Sequence, residues 1–257
     1  MVQTTRRIRE YLRIIDIVVE VVDARIPRTG RAPLLEHLAD KRVRFVALNR
    51  DDLADPATTR LWLDHLAGRG TRAVAVDGRK RGSVARLAAA IEGFSRRDGR
   101  AAKVVRAMIV GVPNSGKSTI VNALLRRGAA KTEDRAGVTR QTQWFRLASG
   151  IEVMDTPGVL PPKISGAAAQ WKLAICGAVP RNAYDPVEVA DAFHSWLVAR
   201  RPRTRFPGLQ TFAAERGFVR RGGATDYHNA ARSYISAFND GVFGRISLEA
   251  PDDTEAA

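Results

Sequence analysis

The sequence predicts an α/β fold: a doubly wound, mainly parallel sheet over residues 1–165, then a small all-α C-terminal domain over residues 166–257. Three observations predict it. Short runs rich in Ile and Val alternate with helical stretches as far as Val110. That is the pattern of strands buried on both faces by crossover helices. The stretch Gly111-Val-Pro-Asn-Ser-Gly-Lys-Ser-Thr119 reads G-x-x-x-x-G-K-S between an apolar run and a helix-like run, the context a phosphate-binding loop needs. From about Ser165 onward the apolar residues keep helical spacing.

Residues 3–15 read as a basic helix with Ile8, Tyr11, Leu12 and Ile15 on one face. Residues 14–22 read as a buried strand ending in Asp23-Ala-Arg-Ile-Pro27, polar residues at the edge where open α/β sheets keep their ligands. Residues 33–40 suit a short helix, and residues 43–48 a second strand running into Asn49-Arg-Asp-Asp52. Residues 56–68 are helical, with Leu61, Leu63 and Leu66 as core candidates. A third strand, residues 72–76, leads to Asp77-Gly78, and residues 84–94 form the next helix. A polar basic link, residues 95–100, precedes the strand at 104–110 that enters the phosphate loop. Residues 119–125 carry the helix leaving it, and residues 126–141, rich in Gly, Thr and charge, read as a mobile loop. Two short strands at 144–147 and 151–154 follow, the second ending in Asp155-Thr-Pro-Gly158. Helices at 167–178, 187–198 and 225–238 complete the chain, joined by Arg-rich connectors at 200–205 and 216–221. Trp171, Phe193, Trp196 and Phe218 read as core, and the acidic tail after Leu248 is expected to fray.

Bulk properties narrow the function. With 257 residues, the chain has room for one nucleotide-binding α/β domain and an appendage. An apolar content of 45% excludes a disordered protein. The 42 Lys and Arg against 27 Asp and Glu leave a formal charge of +15, which points to a polyanionic partner unless it reflects an Arg-rich composition throughout. Nucleic acid is favoured over a membrane, because no amphipathic anchor or lipidation signal accompanies the charge. The single cysteine, Cys176, excludes an internal disulfide, fits a reducing compartment and reads as a small core residue. The best apolar run, residues 14–22, carries Asp16 and Glu20 and is too short to span a bilayer. A signal-peptide apolar run is lacking as well. A soluble, cytoplasmic monomer is expected.

The motifs read as nucleotide chemistry. In the nucleotide-binding stretch Pro113, Asn114, Ser115 and Gly116, the backbone N–H groups after the proline would point at an anion, helped by the positive end of the following helix dipole. Lys117 would reach the β- and γ-phosphates, Ser118 would place its hydroxyl on Mg²⁺, and Thr119 closes the motif. At the strand end, Asp155 would hold the Mg²⁺ shell while the Gly158 N–H senses the γ-phosphate, although Thr-Pro-Gly is also good turn chemistry. Thr139, in Gly137-Val-Thr139, would add a Mg²⁺ ligand and order its loop. Lys117, Thr139 and Gly158 are therefore the catalytic candidates. Asn49-Arg-Asp-Asp52 fits N-[KR]-x-D. The Asp52 carboxylate would accept from guanine N1–H and the N2 amino group, a donor pair that adenine lacks. Asn49 and the stem of Arg50 would shape that loop, and Asp77-Gly78 would touch the base through its backbone.

The order of these motifs is the informative fact. The base-reading segments precede the phosphate loop, the reverse of the usual GTPase order, so the domain reads as a circularly permuted P-loop GTPase. Here the chain resembles the YlqF-type GTPases. The matching residues are Asp23-Ala-Arg-Ile-Pro27, Asn49-Arg-Asp-Asp52, the loop 111–119, Lys131-Thr132 with Asp134-Arg135 and Gly137-Val-Thr139, Asp155-Thr-Pro-Gly158 and Gly244-Arg-Ile-Ser-Leu-Glu249. The resemblance implies a GTP-hydrolysing assembly factor that binds a large ribosomal subunit precursor and its rRNA, with hydrolysis releasing it. It further implies that Asn114 helps bind an activating K⁺.

Two departures stand out. Val159 follows Gly158 where many GTPases place a water-orienting Gln, and Val cannot hydrogen-bond water. The resemblance implies a His N-terminal to the first helix instead, but none of His37, His65, His194 and His228 matches it. A truncated chain, a start upstream of Met1 or another water-orienting group would each account for this. Slow intrinsic hydrolysis is expected. The alternatives are a non-hydrolysing GTP sensor that holds RNA, and a nucleotide kinase or ATPase, against which Asn49-Arg-Asp-Asp52 argues. In the basic C-terminal domain, Arg220-Arg-Gly-Gly223 could turn N–H groups toward an RNA phosphate.

Overall fold

Among the described residues seven strands build one sheet: β1 (Ile17–Asp23), β2 (Val43–Asn49), β3 (Arg72–Val76), β4 (Arg106–Val110), β5 (Ala130–Lys131), β6 (Gln143–Arg146) and β7 (Glu152–Asp155). Their order is β3-β2-β1-β4-β7-β6-β5. The computed structural model describes residues 9–32, 35, 42–97, 104–126, 130–131, 143–147, 150–155, 164, 166–202, 204–220 and 222–253. Neighbours among β3, β2, β1, β4 and β7 pair in parallel, and β6 is antiparallel to both β7 and β5. The doubly wound, mainly parallel sheet expected from the alternation is therefore present.

β1 sits in the middle of the sheet, and every residue of Ile17–Asp23 is buried. Its one internal charge is matched. Glu20 accepts from Arg31 Nε and Nη2 at 3.1 Å and from the Ala32 N–H at 3.0 Å. Without those partners a buried carboxylate would oppose folding. The strand begins at Ile17 rather than residue 14. A helical turn at 9–12 closes through the Ile14 N–H and the Tyr11 carbonyl. Ile14 is left 45% exposed, while Leu12 and Ile15 enter the core.

Helices cover both faces. α1 (Pro56–Gly68) starts with Pro56 in its first turn and with Asp55 as N-cap, whose Oδ1 accepts from the Thr58 N–H at 2.8 Å. Its buried side is Thr59, Trp62 and Leu66, whereas Leu61, expected in the core, is 52% exposed. Spacing of three and four residues aligns Thr59, Trp62 and Leu66, and Leu61 falls off that line. On the opposite face α2 (Arg81–Arg97) and α3 (Lys117–Leu125) share an apolar cluster with Val19 and Val21 of β1, whereas α1 clusters with Val22, Val46 and Leu48. The short helix expected at 33–40 lies outside the described residues apart from Leu35.

The C-terminal region is helical, as expected: α4 (Ala167–Ile175), α5 (Pro186–Arg200), α6 (Leu209–Glu215) and α7 (Tyr227–Asn239). Phe193 is fully buried and packs on Phe238 with ring centroids 4.7 Å apart, and Tyr234 joins them. Cys176 is a buried core thiol, pushed up to about 12 by burial. Ile26 and Val112, from the sheet side, belong to the same apolar cluster, so the helical layer packs on the C-terminal edge of the sheet. Among the described residues no helix is long and apolar enough to cross a membrane.

The tail corrects an expectation. It does not fray through residues 249–253 but lies on the sheet domain. The Ile246 N–H donates to the Leu53 carbonyl at 2.9 Å and the Leu248 N–H to the Arg25 carbonyl at 2.8 Å, with both side chains fully buried. Glu249, also buried, accepts from the N–H groups of Arg28 and Thr29 at 2.8 and 3.1 Å, from the Thr29 hydroxyl, and from Lys172 at 3.3 Å. The Arg28 guanidinium reaches the carbonyls of Pro251 and Asp253 at 2.7 and 2.8 Å. Acidic composition reads as fraying because these partners are distant in sequence, Arg28 and Thr29 by some 220 residues and Lys172 by 77. Glu249→Ala should lower folding stability by about 3 kcal/mol, since it strips a buried carboxylate from its donors. Glu249→Gln, which keeps an acceptor, should cost less. Urea denaturation of the two variants checks both.

Candidate nucleotide site

The loops after β1, β2, β3 and β4 meet at the C-terminal edge of the sheet. The β4 loop turns into α3 through Gly116, whose φ is 94° and which supplies no side-chain cap. A Cβ there would lie 2.0 Å from Asn49 Nδ2, so only glycine lets the two segments touch. At Gly111 a Cβ would lie 2.3 Å from the Val21 carbonyl oxygen. The result is a helix N-terminus without a side-chain acceptor, suited to an anion. Lys117 is buried and its Nζ donates to the Val112 carbonyl at 2.9 Å, while Ser118 and Thr119 are exposed on the first turn.

Asn49, at the end of β2, ties three segments together. Its Nδ2 donates to the Ser115 carbonyl at 2.8 Å and its Oδ1 accepts from the Gly78 N–H at 3.0 Å. Asp52, Asn49, Asp77, Gly78, Gly116 and Thr119 line one cleft, and the Asp52 carboxylate makes no hydrogen bond to another described residue. The early segments and the phosphate loop are thus brought together. Asp77-Gly78 is engaged differently from the base contact read in the sequence. The Asp77 N–H donates to Ser83 Oγ, the Gly78 N–H is taken by Asn49, and Asp77 Oδ1 accepts from the Arg79 N–H at 3.0 Å. This segment positions Asn49.

Arg50 and Asn114 are the two non-glycine residues with positive φ among the described residues, at 59° and 57°. Such backbone persists where the surroundings hold it. Arg50 Nη2 donates to the Asn114 carbonyl at 2.9 Å, and its Nη1 lies 3.3 Å from Asp23 and 3.4 Å from the Cys176 carbonyl. Asn114 Nδ2 donates to the Gly177 carbonyl at 2.7 Å. Two residues singled out for nucleotide contact therefore also grip the turn between α4 and α5.

A buried ion pair lies beneath them. Asp23 Oδ2 meets Arg25 Nη2 at 2.8 Å and its Oδ1 accepts from Arg25 Nε and N–H, each at 3.0 Å. Arg25 is fully buried, donates to Asn239 of α7 at 3.0 Å and lies 4.5 Å above the Phe238 ring. Burial alone would raise the Asp23 pKa, but the charges of Arg25 and Arg50 and the Arg25 hydrogen bonds outweigh it and hold the carboxyl below its ordinary range. The role of this pair was not read in the sequence. Its signal was Asp-x-Arg at a strand end, ahead of a proline.

Asp155 ends β7, and its Cα pairs with Ile109 of β4, one strand from the phosphate loop at the same edge. Its side chain, together with Thr139, Gly158 and Val159, lies outside the described residues. The Arg220–Gly223 reading is corrected. The Gly223 N–H donates to the Arg220 carbonyl and the Arg220 N–H to the Ala224 carbonyl, so these groups close a turn instead of facing a phosphate.

Comparison with known proteins finds GTPases. A family model described as "50S ribosome-binding GTPase" matches residues 106–183. Ribosome biogenesis GTPase A of Priestia megaterium is 32% identical over 99% of this chain and 96% of its own length. The protein of the same name from Thermotoga maritima is 30% identical over 96% of this chain and 91% of its own length. The solved GNP-bound YlqF from T. maritima superposes with a TM-score of 0.78 at 28% identity, covering 98% of this chain and all of that one.

The Asp23 pair makes stability depend on acid. A carboxyl whose folded pKa is lowered contributes stability above its ordinary value of 3.8 and loses it as pH falls below that value through the folded one. Asp23→Asn should cost about 3–5 kcal/mol near neutral pH. The gap between variant and parent should close as pH drops below 3.8, as read by urea midpoints across a pH series.

Proposed function

The chain belongs to the ribosome biogenesis GTPase A family, and on that premise we propose that it binds GTP at the β2–β4 edge and hydrolyses it to GDP and phosphate while serving assembly of the large ribosomal subunit. The observation that supports this best is the Asn49–Ser115 hydrogen bond, which brings Asp52 onto the wall of a cleft shared with Gly116 and Thr119. Guanine fits that wall because Asp52 can accept from both N1–H and the N2 amino group. Asn49 and Arg50 shape the loop, and Asp77-Gly78 holds Asn49 in place.

The phosphates rest on the N–H groups from Asn114 to Thr119, with Pro113 shaping the turn that precedes them. Lys117 exchanges its Val112 carbonyl for the β- and γ-oxygens and offsets the charge that spreads over them as the bond to the leaving phosphate lengthens. Ser118, Thr139 and Asp155 are the oxygen donors for Mg²⁺, a hard cation that takes such ligands. Asn114 is the residue assigned to K⁺. Its amide nitrogen holds Gly177, so its Oδ1 is the atom that would face the cation. Gly158 reads the γ-phosphate. Val159 cannot orient water, which makes intrinsic turnover slow and a partner necessary.

Residues 166–257 form the RNA-contacting domain in this reading. The segment after Asp155 leads straight into α4, so γ-phosphate loss changes the hold on the precursor particle and releases the protein. The setting is cytoplasmic, and the protein acts as a monomer on rRNA. If Val159 instead marks a GTP sensor, turnover stays absent even with ribosomal particles.

Asp52→Asn should weaken GTP binding by roughly a hundredfold or more and admit xanthosine triphosphate, whose C2 carbonyl accepts from an amide. Fluorescent-nucleotide titration reads both. Phosphate release measured with large-subunit precursors should fall about tenfold or more when Na⁺ replaces K⁺. Co-sedimentation with those particles should be stronger with a non-hydrolysable GTP analogue than with GDP. Equal binding in the two states would end the release model.

A further inference from the structure

Beside the guanine cleft lies a second opening, about 330 Å³ in volume, between the nucleotide edge and the helical layer. One wall is Arg50, Arg79 and Asn114, and the other comes from the α4–α5 turn and from α7. Four arginines line it, Arg50, Arg79, Arg181 and Arg232, against one acid, Asp240, which accepts from the Ser236 hydroxyl at 3.2 Å. Arg79, Arg181 and Arg232 are exposed and make no side-chain hydrogen bond or ion pair to another described residue. They come from three separate loops and helices, so no local repeat explains their convergence. Arg50 is held at the floor by Asp23 and by the Asn114 carbonyl.

We propose that this opening is a second phosphate-binding site and that it takes a phosphodiester of a single RNA strand. Guanidinium groups converging from several directions suit the tetrahedral oxygens of a phosphodiester anion better than they suit a planar carboxylate. The volume is on the scale of one nucleotide. Tyr184, half-buried on the same wall, offers a ring against which a base can lie. The floor is the Asn114–Gly177 contact, so a strand seated here touches both the phosphate loop and the helical layer. The inference rests on the RNA-contacting reading above and names the surface.

The test uses the full chain, a short mixed-sequence single-stranded RNA and GDP. The double variant Arg181→Ala with Arg232→Ala should bind the RNA about tenfold more weakly at physiological salt. The slope of log affinity against log salt should shrink by about 1.4, the value for two single-strand phosphate contacts. GDP affinity and melting temperature should stay unchanged. A matched pair outside the cleft, Arg60→Ala on α1 with Arg69→Ala just after it, should leave RNA affinity close to that of the parent. Equal losses in the two pairs would mean diffuse surface attraction and overturn the site. So would undiminished RNA binding in the cleft variant. Loss of inorganic pyrophosphate binding with RNA binding intact would reassign the cleft to a free anion and overturn the RNA assignment. If the parent chain binds no RNA, the RNA-contacting reading itself falls, an outcome distinct from failure of the cleft variant alone.

Discussion

One side-chain amide holds the nucleotide edge together. Asn49 spends its nitrogen on the phosphate loop and its oxygen on the β3 loop. Permutation makes that bridge more demanding than in the usual GTPase order. In the proposed function the segment that reads the base comes about 60 residues before the loop that holds the phosphates, and no short connection sets their distance. The sheet does the coarse work by placing β2 one strand from β1 and β1 beside β4. Register aligns the strand ends along one edge, and the amide closes the gap across β1. Gly116 has to lack a Cβ for the amide to fit at all. A larger residue there would push Asn49 off Ser115 and move Asp52 with it.

A second fastener joins that edge to the helices. Asp23 lies between Arg25 and Arg50, and both arginines reach Asn239. Buried ion pairs are poor sources of net stability, because desolvating the charges cancels most of the attraction. Their directionality is what matters here. A guanidinium forked onto one carboxylate, one amide and one aromatic ring permits few orientations of α7 relative to β1. The C-terminal tail adds a strap over the same region through Leu248 and Glu249. The last described residues thus return to the first strand, and the two layers are tied at several points instead of hinged at one.

Much of this was legible in the sequence for a physical reason. Parallel strands buried on both faces leave unbroken apolar runs, and the phosphate loop carries its own glycines and lysine. The family resemblance followed from motif order. What escaped was long-range pairing. Trp62, not Leu61, lies on the buried side of α1, where its indole N–H donates to the Glu249 carbonyl, 187 residues away. The tail looked frayed because its acids were read without Arg28, Thr29 and Lys172. Asp23-Ala-Arg25 reads in the sequence as polar residues at a strand edge and as part of the family motif, and nothing local says that its partner is Asn239. Arg50 and Asn114 were read for their chemistry toward a nucleotide. Their left-handed backbone and their grip on residues 176–177 emerge only in three dimensions.

That grip bears on how nucleotide state reaches the helices. A ligand shifts a conformational balance only by what it contacts differently in the two states. In the proposed function, GTP and GDP differ at the γ-phosphate, which Gly158 reads, and the chain from there runs into α4. The Arg50 and Asn114 contacts to the α4–α5 turn form a second path that begins on the base and loop side. GTP and GDP share their base and their α- and β-phosphates, so this path distinguishes a filled site from an empty one, not one nucleotide from the other. Division of labour follows from that chemistry. In the proposed function occupancy holds α4 and α5 in register with the loop, and the γ-phosphate then decides their hold on a partner. A chain in the usual GTPase order would carry the segment after Asp155 back into the sheet, so the permutation itself is what lets both paths end on the same pair of helices.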